Sequence, residues 1–202
     1  IAKMVSERRA LGDYQGAYQV YKVSRWGLFI IGLLSSIFIF LFARQLVTFL
    51  GYPGSYYSML ALVPALFAVP LLSSYRGFFQ GTQNMMPIAL SQIVEQLFRI
   101  SIGYFLAYKL VDIGLEKAAA GATFGASVGG IAALILIAAI FMTDKKDIRR
   151  EIETSTLNRE ENAWNIVKNL LYIAIPITIG ASIAPLMGVF DSYFVSSRLS
   201  FL

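Results

Sequence analysis

The sequence predicts an all-α polytopic membrane protein with five transmembrane helices, and three observations carry that reading. Hydrophobic residues make up 57% of the 202-residue chain and charged residues only 14%, with a mean hydropathy of +0.65, too apolar for a soluble domain of this size. Apolar runs of about 20 residues, each sufficient to cross roughly 30 Å of hydrocarbon, recur between short polar connectors. The basic residues behind the formal charge of +5 gather at the ends of those runs rather than in a soluble patch or an RNA-binding motif, which argues against a nucleic-acid partner.

Residues 1–25 hold Lys3, Arg8, Arg9, Lys22 and Arg25, with Leu11, Tyr14, Tyr18 and Tyr21 at helical spacing. This segment reads either as an amphipathic helix along the headgroups, tyrosines inward, or as a solvated connector. The first span runs from about Trp26 to Leu50, with an interfacial tryptophan at one end and Arg44 near the other, where its stem lets the charge reach water. The turn GYPGSYY then breaks the helix. The second span, Ser58 to Phe79, contains Pro64 and Pro70, each of which removes a backbone donor and invites a kink.

The third span covers Pro87 to Tyr108. After a loop with Lys109, Asp112, Glu116 and Lys117, the fourth covers Ala118 to Met142, where Gly121, Gly125 and Gly129 form a GxxxG series that predicts close helix packing. The stretch TDKKDIRREIETSTLNREEN, residues 143–162, interleaves both signs of charge and reads as a solvated helical linker. The fifth span, Ala163 to Phe190, contains Pro176 and Pro185 and ends at Asp191. Asp191 is a candidate gate contact or ion site, or else an interfacial helix end.

Eleven basic residues, among them Lys3, Arg8, Arg9, Arg76, Lys145, Lys146, Arg149 and Arg150, fall on the side of residues 1–25, the 76–86 connector and the 143–162 linker, whereas the opposite side has Arg44, Lys109, Lys117 and Arg198. The positive-inside rule therefore makes 1–25 and 143–162 cytoplasmic. The chain opens at Ile1 without a signal-peptide pattern, and the expectation is a fragment preceded by further helices.

The third span holds the chemistry. Gln92, Glu95, Gln96, Arg99 and Gly103 follow spacings of 3, 4 and 7, which predicts a polar stripe on one helix face. Arg99 lies about 18 Å beyond Pro87 along the axis, near the middle of the hydrocarbon. A charge there costs about 2.5 kcal/mol or more and belongs in protein interior or a wet cavity. Glu95 and Arg99, acid first at i and i+4, can neutralise each other. Two readings follow: a structural ion pair, or the lining of a water-accessible cavity of the kind that alternating access requires. The chain has no cysteine and no histidine, and it lacks a P-loop, a nucleophile elbow and metal-spaced carboxylates within its spans, so it is not read as an enzyme and no cofactor or metal is expected.

The run YRGFFQGTQNMMPIALSQIVEQLFRI, residues 75–100, resembles the signature of the MurJ-like and stage V sporulation protein B-like branch of the MOP flippases, often labelled polysaccharide biosynthesis proteins. KMVSERRALGDY resembles that family's cytoplasmic loop after the second helix, and LYIAIPITIGASIAPLMGVFDSYFVSSRL its seventh helix. Ile88 departs from the pattern, which usually has a small polar residue there. The resemblance implies a larger two-lobe MOP/MATE-like bundle of which these are the third to seventh helices. Residues 26–142 would then belong to the amino-terminal lobe, 143–162 to the inter-lobe linker and 163–202 to the first helix of the carboxy-terminal lobe.

It also implies a bacterial plasma-membrane flippase that moves undecaprenyl-linked saccharides, lipid II or a relative, to the outer leaflet. Its partners would be the lipid-linked saccharide and membrane lipids, with a monovalent cation or the membrane potential as candidate driving force. Arg99, Glu95, Gln92 and Gln96 are the candidate cavity residues; Arg76, Gly77, Gln80, Gly81 and Pro87 are candidate signature residues of the turn and inner gate. The rivals are a cation-coupled multidrug exporter of the MATE branch, which would favour deep carboxylates over a deep arginine, and a nontransporting scaffold of wall synthesis.

Overall fold

A computed structural model describes residues 1–49, 51–155 and 162–199, apart from the side chains at 53, 186 and 189–199. Helix α1 (Ala2–Ala10) precedes α2 (Tyr14–Phe49), α3 (Tyr56–Gly81), α4 (Met86–Leu110), α5 (Leu115–Glu153) and α6 (Ala163–Leu199). No strand occurs among the described residues. This is the all-α polytopic membrane architecture expected.

Local chemistry sets the breaks. Gly12, at φ 75°, takes the left-handed turn between α1 and α2. The next residue, Asp13, caps α2: its carboxylate accepts the Gly16 N–H at 2.8 Å and pairs with Arg8 at 2.9 Å. Gly114, at φ 143°, serves the same conformational need before α5. Pro87 occupies the first turn of α4, where a missing N–H costs nothing.

The structure divides residues 1–25 between α1 and the first turns of α2, which begins at Tyr14 and continues through the membrane run without interruption. The cause is burial of its first turns: Ala17, Val20 and Tyr21 are core residues, and the Tyr21 ring lies 4.9 Å from both Phe78 and Phe141. Leu11, at helical spacing from the tyrosines, sits in the turn before α2 and is 68% exposed.

Four described helices, α2, α3, α5 and the 163–185 part of α6, are long and apolar enough to cross a membrane. The third predicted span is present as α4, whose 25 residues give about 37 Å of helix. It falls outside that group because Gln92, Glu95, Gln96 and Arg99 dilute its apolar character.

The chain forms two compact units, Ile1–Glu160 and Glu161–Leu202. In the first, α5 packs along α4 and α3, α2 packs along α3, and α1 folds back on α2 and α3. The predicted boundary at 142/143 falls within α5, which carries residues 143–153 of the charged stretch as a direct helical extension. The second unit is α6, helical through Pro176 and Pro185.

Candidate functional site

The buried residues of α4 are Pro87, Ser91, Glu95 and Gly103, one row at four-residue spacing that Arg99 completes. This row meets the glycine series of α5. A methyl group on Gly129 would stand 2.5 Å from the Glu95 carbonyl oxygen, and one on Gly125 would stand 2.7 Å from the Gly103 Cα. A methyl group on Gly103 would stand 2.9 Å from the Ala122 carbonyl oxygen. The two helices thus approach backbone to backbone, and the small residues let them.

Glu95 is the centre of the charged cluster. One carboxylate oxygen accepts from Arg76 Nη2 at 2.9 Å and the other from Arg99 Nη2 at 3.3 Å. Arg76 also donates through Nε to Ser91 Oγ at 3.0 Å, and the Ser91 hydroxyl donates to the Ile88 carbonyl at 2.8 Å. The shorter, doubly supported contact is therefore between α3 and α4.

Arg99 is held less firmly. Its side chain keeps 43% exposure, and its buried Nε has no hydrogen-bond partner among the described residues. Two guanidiniums face one carboxylate, so the cluster carries a formal charge of +1 and presents a planar donor suited to a carboxylate or phosphate.

The predicted residues separate into three groups. Arg76, Glu95 and Arg99 come together. Gln92 and Gln96 are exposed; each lies about 100° round the helix from Ser91 or Glu95, so they flank the buried row rather than extend it. Gly77, Gly81 and Gln80 divide again. A methyl on Gly81 would stand 2.5 Å from Val5 Cβ and one on Gly77 would stand 3.0 Å from Ile1, so these glycines seat α1, while Gln80 is exposed. Pro87 is buried at the start of α4. The Asp191 side chain lies outside the described residues. Sequence reasoning missed Ser91 and the link from Arg76 to Glu95. Ser91 had a usable signal, standing one turn before Glu95 on the same face.

A helical bundle with two arginines and a glutamate joined inside it defines a polytopic membrane protein built round an ionic cluster. The family model described as polysaccharide biosynthesis protein matches residues 18–200, and the chain belongs to this family, within the MOP superfamily. It is 33% identical over 204 residues to stage V sporulation protein B of Bacillus subtilis (strain 168), covering 99% of this chain and 38% of that protein. It is 31% identical over 149 residues to lipid II flippase MurJ of the same organism, covering 68% of this chain and 27% of MurJ. To the uncharacterized membrane protein YabM, also of Bacillus subtilis, it is 27% identical over 198 residues, 95% of this chain and 36% of YabM. The chain thus spans under two-fifths of the length of these relatives. No solved structure matches it.

Proposed function

We propose that this chain is part of a flippase that carries an undecaprenyl-linked saccharide, lipid II or a related precursor, across the bacterial plasma membrane by alternating access. The name of the MurJ relative and the shared family support the substrate class. The observation that carries the reading is the unequal sharing of Glu95: Arg76 holds it at 2.9 Å, which leaves Arg99 partly exposed with donors to spare. A diphosphate is a fitting acceptor for such a donor, and a wet cavity is where an intramembrane arginine is tolerated. The carried saccharide head would shelter beside this wall while the polyprenyl tail stays in lipid. Such a protein moves its substrate without altering its covalent bonds and is not an enzyme. A monovalent cation or the membrane potential would supply the drive. By the positive-inside rule, residues 1–25 and 143–162 face the cytoplasm.

The test is a flipping assay on the full-length parent, comparing lipid II with other undecaprenyl-linked sugars. Arg99→Gln is expected to abolish transport in a well-folded protein, and exchange of the pair, Glu95→Arg with Arg99→Glu, should not restore it. Full transport by the exchanged pair would show that Glu95 and Arg99 serve packing alone, and no transport of any lipid-linked sugar by the unaltered parent would favour the scaffold.

A further inference from the structure

Next to Arg76 on α3, Tyr75 belongs to a different feature. A groove of about 370 Å³ lies between α2, α3 and α5. Arg25, Trp26 and Tyr75 line one end; Phe29 and Leu71, each one turn deeper into the apolar run, line the rest with Leu134 and Ala138 of α5. Every group in the groove fits a lipid with an anionic head.

The Arg25 guanidinium has aromatic neighbours rather than acidic ones. It lies 5.8 Å from the Tyr21 ring centre and donates to the Tyr75 hydroxyl at 3.5 Å, the limit of a hydrogen bond. Among the described residues no carboxylate pairs with it. Its guanidinium thus meets only phenols, not a carboxylate, at the headgroup level, which Trp26, 55% exposed, marks. Lys22, exposed and one turn earlier on α2, adds a second positive charge. A guanidinium takes a phosphate bidentately, and basic pockets between membrane helices favour anionic lipids.

We propose that this groove binds an anionic glycerophospholipid of the leaflet at the Arg25 end. The phosphate is held by Arg25, and one acyl chain lies along Phe29, Leu71, Leu134 and Ala138. The site is separate from the Glu95 cluster and does not depend on the transport reading.

Native mass spectrometry of the full-length parent, titrated with phosphatidylglycerol, phosphatidylcholine of the same chains, and undecaprenyl phosphate, tests it. Phosphatidylglycerol is expected to be retained in preference to both. Arg25→Gln should weaken its retention at least about tenfold, since a bidentate charged contact gives way to at most a neutral hydrogen bond. Ala138→Phe, which fills the groove and leaves the cation in place, should weaken it as well, whereas Arg44→Gln at the far end of α2 should not. Equal retention of the two phospholipids, displacement by undecaprenyl phosphate, or retention unchanged in Ala138→Phe would each overturn the proposal. Each variant is compared as monodisperse protein; if Arg25→Gln does not yield it, Ala138→Phe decides the matter alone.

Discussion

Arg76 and Glu95 join α3 to α4 through a 2.9 Å ion pair in which the arginine side chain is 23% exposed and the glutamate 12%. Removing Arg76 leaves one Glu95 oxygen and the Ser91 hydroxyl without their donor, while Arg99 still holds the other oxygen. Arg76→Met is therefore expected to destabilise the protein by about 1–3 kcal/mol, and Arg76→Met combined with Glu95→Met by less. Denaturant unfolding of the purified parent, followed through the helical signal, measures both. A single variant no less stable than the double would show that the pair does not fasten the helices.

Arg99 predicts the opposite balance. Its contact with Glu95 is longer, at 3.3 Å, and its side chain is half open, so Arg99→Gln should change stability by no more than about 1 kcal/mol. Transport in the flipping assay should nonetheless fall below detection. Loss of stability comparable to that of Arg76→Met would assign Arg99 to packing.

Gly129 bears on the site from the other helix. With its Cα face against the Glu95 carbonyl, Gly129→Leu must push α5 off α4 and is expected to cost at least about 1–3 kcal/mol. Gly27→Leu, where an added Cβ meets nothing within 4 Å, is the control and should be near neutral. Thermal unfolding of the two variants side by side distinguishes a packed seam from a general intolerance of large residues.

Arg9 and Glu151 make a bidentate pair, at 2.7 and 3.1 Å, between α1 and the end of α5. Both are partly solvent-exposed, so Arg9→Ala should loosen α1 by only about 0.5 kcal/mol, with the difference shrinking in high salt. Hydrogen exchange at the α1 amides is the measurement, and protection unchanged at low salt would contradict it.

Much of this was legible in the sequence because bilayer length and glycine spacing are local signals. The α4 and α5 spans and the close helix packing of the Gly121 series could be read directly, though not which helix the series packs on. The Glu95–Arg99 contact was also readable, since i,i+4 geometry is built into a helix. Arg76 was not placed on Glu95, because the pairing depends on how two helices register after the 82–85 turn, where periodicity says nothing. The spacing puts Gln92 and Gln96 on one polar stripe with Glu95 and Arg99 because a count of 3 and 4 tolerates a wide arc. The backbone contact with α5 narrows that arc to the row through Ser91, Glu95 and Gly103. The continuity of α2 past Arg25 was hidden for a similar reason: basic residues mark an interface, but the buried aromatic packing of Tyr21 keeps the helix running through it.

The unbroken course of α5 has a mechanical consequence. From Gly129, seated on Glu95, to Glu151, bonded to Arg9, the helix runs 22 residues, or about 33 Å. Treated as a stiff rod pivoting at the glycine seat, a tilt of about 5° would swing its far end by about 3 Å, enough to part a hydrogen-bonded pair. A small rocking motion at the ionic cluster would thus be amplified outside the membrane run, and the Arg9–Glu151 clasp would open or close as its lever arm moved.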